Sequence, residues 1–354
     1  MFISLALALV AAPSPQRHDP TEVLAPNVPQ TVEQQELSAR RGAANAACHR
    51  RYMGQDYWPQ PAIWKVADAD TAVYLFGTVH SLPFDFDWLT PQLEHIISDA
   101  GLLLTEGYRS SATPNHPPGR LPPVSDRLRG DARALWRGML AIMPEEHGAA
   151  FDALPTWAVA RRIDAEARRR RNPPPGPGAD AQLISAFEKA GKPVEEIESA
   201  AAVTAMVMAA SEAAQRRVLT AQLHDIARPR SVVERMKLFH RWARGEPLSD
   251  QRPRRHAKSG ELARLLLDKR NAAWADELAE RMSKPGTLLV AVGAGHFEGE
   301  QSLLKLLSER GLEASRVSST QPPRSRTAWI PMPATWDSCS DYYMGLKPIP
   351  PGNE

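Results

Sequence analysis

The chain has 354 residues, 43% of them hydrophobic, and its 43 Lys and Arg nearly cancel its 41 Asp and Glu, leaving a formal net charge of +2. That composition supports one large buried core or two modest ones, and it excludes a disordered or fibrous chain. The basic residues gather in two patches, 168–171 ahead of the Pro/Gly run 173–178 and 252–256. Nucleic-acid binding calls for a basic stripe interleaved with aromatics and is not expected.

In chain order, residues 2–10 form an apolar run followed by Ala11-Ala12 and a proline-rich polar stretch. This is the order of a secretory signal spanning 1–12, although no Lys or Arg precedes the run. It is too short to cross a bilayer, and no other apolar stretch approaches membrane length. The expectation is an exported, periplasmic protein. Residues 13–60 are rich in Pro, Gln and Ala and read as an N-terminal arm with one helical candidate over 31–47. The two cysteines, Cys48 and Cys339, lie near opposite ends. In an exported chain they are expected to form one disulfide tying the tail 321–354 to the arm. Neither has a CxxC partner, which excludes a zinc ribbon.

Folding proper is expected to begin near residue 61. Segments 63–66 and 72–76 flank Asp68-Ala69-Asp70 and read as a hairpin whose second strand runs into Gly77-Thr78-Val79-His80. Residues 89–100 have helical spacing with Thr90-Pro91 as a start signal, and Gly101 opens the apolar run 102–106. A strand, helix, strand crossover makes its strands parallel, so His80 and Glu106 are expected at the same carboxyl edge of the sheet.

Helices are expected over 131–142, 154–170 and 180–190. A strand over 192–197 then leads to Glu198 and an Ala/Met-rich helix over 200–223. In the last third, helix 261–282 carries Arg270 at the flank of its apolar face, and strand 287–292 leads to Gly293-Ala294-Gly295-His296. Helix 301–310, Gly311 as its stop and a short strand over 313–317 follow. The expected architecture is one α/β domain over 61–320: a mixed, mainly parallel central sheet with helices on it, a helical insertion between Glu106 and Gly178, and two strand-GxxH-helix units at one sheet edge.

Imidazole is the usual nitrogen ligand of a divalent cation, and a glycine three residues earlier lets the backbone turn sharply off a strand end. A single histidine after a strand is ordinarily structural. Two at equivalent strand ends, with Glu106 on the same edge, make a candidate cation site. His95, His116, His147, His224, His240 and His256 have no such setting and read as structural.

Residues 63–66, Tyr74 to Pro83, 102–106, Gly178-Ala179-Asp180, 191–198, Arg270-Asn271 and 290–296 together resemble the TraB/PrgY/GumN family, GumN branch. The likeness spans roughly 60–320. It implies kinship with the TIKI proteins, metal-dependent proteases that use paired GxxH motifs with Mn or Co, and a fold similar to erythromycin esterase-like and ChaN-like proteins. His80, Glu106 and His296 match the family's His, Glu and His, while Arg270 and Glu198 match its Arg and Glu.

The resemblance implies a metal-dependent hydrolase, peptidase-like, acting on a peptide or other small polymer with Mn, Co or Zn held by His80 and His296. Such a cation lowers the pKa of water toward neutrality. Glu106 is expected as third ligand or general base, Arg270 as stabiliser of developing charge, and Glu198 as reserve ligand or partner of a ligand. The alternatives from the same residues are a non-catalytic periplasmic binding protein for a peptide, polysaccharide or haem-like ligand, and a structural partner in an envelope complex.

Overall fold

The computed structural model describes residues 55, 57–83, 86–107, 121–141, 143, 146–169, 176–228, 232–248 and 260–318. The run 1–12, the helical candidate 31–47, Cys48, Cys339 and the tail 321–354 lie outside the described residues.

The strands are β1 (Ile63–Ala67), β2 (Thr71–Thr78), β3 (Ser81–Leu82), β4 (Leu102–Glu106), β5 (Gly176–Pro177), β6 (Val194–Glu198), β7 (Gly286–Gly293) and β8 (Ser315–Arg316). Six of them form one sheet in the order β6-β4-β7-β2-β1-β8. Its core is parallel, since β2 and β4 each pair parallel with β7, and β4 pairs parallel with β6. β1 runs antiparallel to β2, and β8 antiparallel to β1. The β1–β2 hairpin is closed by Asp68, whose Oδ1 accepts the backbone N–H groups of Asp70 at 3.1 Å and Thr71 at 2.8 Å. This is the local side-chain turn that Asp favours.

The crossover from β2 through helix Pro91–Asp99 to β4 skips one position, which β7 fills from the far end of the chain. Position follows from composition. Thr-Leu-Leu-Val-Ala-Val is buried from Leu288 onward on both sides of the pleat, the pattern of a strand at the middle of a covered parallel sheet. Alternation then sorts the side chains. Phe76, Leu103, Leu289 and Ala291 face one layer with Leu93 and Ile96 of helix Pro91–Asp99 and Leu183 and Phe187 of helix Ala179–Lys189. Leu75, Leu104, Leu288 and Val290 face the other, against Trp274 and Leu278 of helix Lys269–Arg281 and Leu303 and Leu307 of helix Leu303–Ser308.

A separate helical core gathers Trp136, Phe151, Ile163, Leu219 and Leu223 from segments before and after β6. Here two expected helices are subdivided. The one over 200–223 is Ala200–Ala209 followed by Glu212–Ala227, because Ser211 caps the second: its Oγ accepts from Ala214 N–H at 3.2 Å and donates to Glu261 at 2.5 Å. The one over 261–282 contains a π-helical segment, Arg264–Asp268, between Glu261–Ala263 and Lys269–Arg281. Such segments inside α-helices concentrate at functional sites.

β3 and β5 form a two-stranded ribbon off the main sheet, Ser81 opposite Pro177 and Leu82 opposite Gly176. It clamps the bend holding His80 against the start of helix Ala179–Lys189, where Ala179 N–H donates to Val79 O at 2.9 Å. Gly178 sits in the clamp. A Cβ there would lie 2.5 Å from Val79 O and also collide with the backbone carbon of His80 and with Asp180 Oδ1. Gly178→Ala is therefore expected to lower stability by about 1–3 kcal/mol, the usual range for overpacking. Equilibrium urea unfolding checks this, and an unchanged midpoint would contradict the close approach.

Candidate functional site

The carboxyl ends of the parallel strands all contribute to one place. Glu106 ends β4, Glu198 ends β6, His80 lies two residues beyond β2, and His296 lies in the 3₁₀ turn Ala294–Phe297 that follows β7. Parallel strands deliver their carboxyl ends to one edge, which is where open α/β sheets build sites. Gly77 lets the β2 and β7 turns approach: a Cβ on it would stand 3.0 Å from Ala294 Cα.

Arg270 stands at the centre. Helix Lys269–Arg281 presents it to the sheet edge with its side chain only 1% exposed, beside Glu106 at 7% and Glu198 at 10%. Nε donates to Glu198 Oε1 at 2.6 Å, Nη2 donates to Glu106 Oε2 at 3.0 Å and also to Glu198, and Nη1 donates to Leu266 O at 2.9 Å. Nη1 also reaches His296 Nε2 at 3.4 Å. A guanidinium has five N–H donors, so every one of them is committed. Its carbon lies 4.6 Å from the Trp274 ring centroid, and that ring stands 4.3 Å from the His296 imidazole. The flank position expected for Arg270 is thus a buried one.

The charges hold one another. Burial pushes the Glu106 carboxyl up, but His296, Arg270 and His80, with the Gly293 N–H at 2.5 Å, outweigh it and hold it down to about 2. Burial dominates at Glu198 and raises it, because its one strong compensating partner, Arg270, is shared. Burial also opposes the Arg270 charge, yet the two carboxylates raise its pKa above the ordinary value. Burial lowers His296 to about 4, so its imidazole is neutral near pH 7.

Each histidine is oriented through Nδ1. His296 Nδ1 meets Asn271 Oδ1 at 2.5 Å, while the Asn271 amide nitrogen donates to His296 O at 3.2 Å and to Gln301 O at 2.7 Å. Two carbonyl acceptors fix the amide, so its oxygen faces the ring and Nδ1 carries the proton. His80 Nδ1 lies 3.2 Å from Asp180 Oδ2, and a carboxylate oxygen calls for the same tautomer. Both rings therefore present Nε2 as the lone-pair nitrogen, and His296 Nε2 lies 3.6 Å from Glu106 Oε1.

The structure brings Glu106, Glu198, Arg270 and His296 into direct contact and sets His80 beside them with Asp180. Among the described residues, no three of His, Cys, Asp and Glu are grouped closely enough to enclose an ion. Asp180 and Asn271 had no role by spacing; the signal was their adjacency to Gly178 and Arg270 within the motifs that carry the resemblance. Of the histidines read as structural, His240 meets the Tyr57 hydroxyl at 2.7 Å and His224 lies 3.5 Å from Asp131.

Fold and site define an α/β protein with a buried ionic cluster at the carboxyl edge of a parallel sheet. The TraB/PrgY/gumN family profile matches residues 62–316, and the chain belongs to that family. Uncharacterized protein YbaP of Escherichia coli strain K12 is 26% identical over 255 residues, covering 71% of this chain and 94% of the relative. Its counterpart in Shigella flexneri, also described as uncharacterized, matches with the same identity and coverage. No solved structure matches the chain at a significant level.

Arg270→Met removes the shared cation and leaves two buried carboxylates facing each other. Breaking a buried pair this way is expected to cost about 3–5 kcal/mol. Chemical denaturation measures it, and a loss below about 1 kcal/mol, the scale of an exposed pair, would contradict the central role of Arg270.

Proposed function

We propose that the chain is an exported, metal-dependent hydrolase, peptidase-like, whose divalent cation is held by Nε2 of His80 and His296. The observation that carries the reading is the matched orientation of the two imidazoles, each engaged through Nδ1 by an oxygen, Asp180 Oδ2 or Asn271 Oδ1. This is how metal-ligating histidines are ordinarily fixed and made more basic. Charge supports it. With both carboxylates ionised, Glu106 and Glu198 against Arg270 leave −2 + 1 = −1 in a buried place, which suits a cation.

A divalent cation such as Mn, Co or Zn would supply Lewis acidity, polarising a carbonyl and bringing the pKa of water toward neutrality. The residues of the chain divide the remaining work. Burial raises the Glu198 pKa, so of the two carboxylates it is the more readily protonated. Glu106, held near 2, stays ionised and supplies a fixed negative charge. Arg270 fixes both carboxylates and is a positioning residue; for His296 Nε2 to hold the cation, its 3.4 Å contact with Arg270 Nη1 gives way. Trp274 closes one side of the cluster against water.

Metal analysis of purified protein tests the reading. The wild type, loaded with Mn, Co or Zn and desalted, is expected to retain stoichiometric metal; His80→Ala and His296→Ala are expected to lose it. Asn271→Ala is expected to weaken affinity by about 10–100-fold, the usual effect of removing the group that orients a ligand. Full retention by both histidine variants would refute the proposal. Cleavage of a peptide library by the metal-loaded wild type, abolished in the same variants, separates a hydrolase from a binding protein.

A further inference from the structure

Away from the ionic cluster, a cavity of about 70 Å³ lies among helices Thr156–Arg169, Ala200–Ala209, Glu212–Ala227 and the segment from Glu261 through Asp268. Val203, Val207, Val218, Leu262 and Leu266 wall it, with Trp157 on one side. Two of its polar side chains are satisfied within the protein. Thr204 Oγ1 donates to Ala200 O at 2.8 Å. Gln215 accepts from Trp157 N–H at 3.1 Å and donates to Ala210 O at 2.9 Å.

Arg161 differs. Its guanidinium carbon stands 5.8 Å from the Trp157 ring centroid, and among the described residues no carboxylate pairs with it. The cavity thus combines aliphatic walls with one half-buried cation that, among the described residues, no carboxylate faces. A partly desolvated guanidinium at a concave apolar wall suits an anionic occupant. Helix Ala200–Ala209, which contributes Val203 and Val207, contains no charged residue.

Size narrows the occupant. A dry cavity of about 150 Å³ accommodates benzene, so about 70 Å³ encloses an aliphatic group of roughly three or four carbons. We propose that this cavity binds a branched aliphatic carboxylate, with an isopropyl or isobutyl group between Val203, Val207 and Leu266 and the carboxylate on Arg161. That chemistry is presented by a free branched short-chain acid and by the carboxyl terminus of a peptide ending in Val or Leu. The cavity adjoins the ionic cluster at Leu266, which lines it and whose carbonyl accepts from Arg270. Binding itself does not depend on the hydrolase reading.

Titrations of the full chain, followed by calorimetry or ligand-observed NMR, use 4-methylpentanoate, its amide and acetyl-alanyl-leucine. The wild type is expected to bind 4-methylpentanoate at least about tenfold more tightly than the amide, the worth of one charge-assisted contact. Arg161→Gln is expected to abolish that preference and Arg161→Lys to retain part of it. Ala160→Leu, which fills the cavity, is expected to remove binding of both, with the unfolding midpoint of each variant confirming a folded chain.

Tighter binding of acetyl-alanyl-leucine than of the free acid assigns the site to peptide termini, and the reverse order assigns it to free acids; either supports the proposal. Equal affinity for acid and amide, no saturable binding of either, or an Arg161→Gln variant indistinguishable from wild type would overturn it. His80→Ala is expected to bind 4-methylpentanoate as the wild type does, so a failure of the metal reading leaves this result standing.

Discussion

A single guanidinium, that of Arg270, determines how the carboxyl edge of the sheet is arranged. Two parallel strands end in glutamates, and in a water-poor setting two carboxylates side by side would repel and would each pull toward protonation. Arg270 reaches both, with Nη2 3.0 Å from Glu106 and Nε 2.6 Å from Glu198. The price of burying it is met by a complete set of acceptors, because a buried ion pair holds only when its remaining donors are satisfied. Much of the local sequence serves that placement: the π segment that delivers the Leu266 carbonyl, the Trp274 ring, and the neighbouring Asn271 that turns His296.

The same arrangement divides the two carboxylates by environment. Glu106 receives a backbone N–H and the nearby cationic and imidazole groups, and falls to about 2; Glu198 shares its arginine and is pushed up by burial. Chemically similar groups with pKa values driven apart are the usual mark of distinct acid–base roles. Histidine orientation adds the second constraint, since Asp180 and Asn271 approach from different helices yet impose the same tautomer.

Much of this was legible in the sequence. The apolar run into Gly77 read as a central strand and 287–292 as an apolar strand; in the fold they are parallel neighbours, with Gly77 opposite Val292. Glu106 and His80 were expected on one edge from the crossover alone. The insertion of β7 between β2 and β4 was not legible, because single-sequence periodicity identifies a buried strand without giving its neighbours. The burial of Arg270 was hidden for a related reason: spacing puts it at the flank of an apolar stripe, and only the sheet edge supplies the carboxylates that make burial tolerable. The break at Ser211 combines a local cap, Ala214 N–H on Ser211 Oγ, with Glu261, fifty residues away, which holds the Ser211 backbone and hydroxyl.

The edge of the sheet holds two imidazoles, each engaged at Nδ1 by an oxygen acceptor, Asp180 Oδ2 at His80 and Asn271 Oδ1 at His296. Nitrogen-15 NMR of the metal-free protein, with histidine side chains labelled, reads the tautomer of each ring directly. His80 and His296 are both expected to carry the proton on Nδ1 near pH 7, and Asn271→Ala is expected to loosen this preference at His296 alone. Protons on Nε2 in either ring would contradict it.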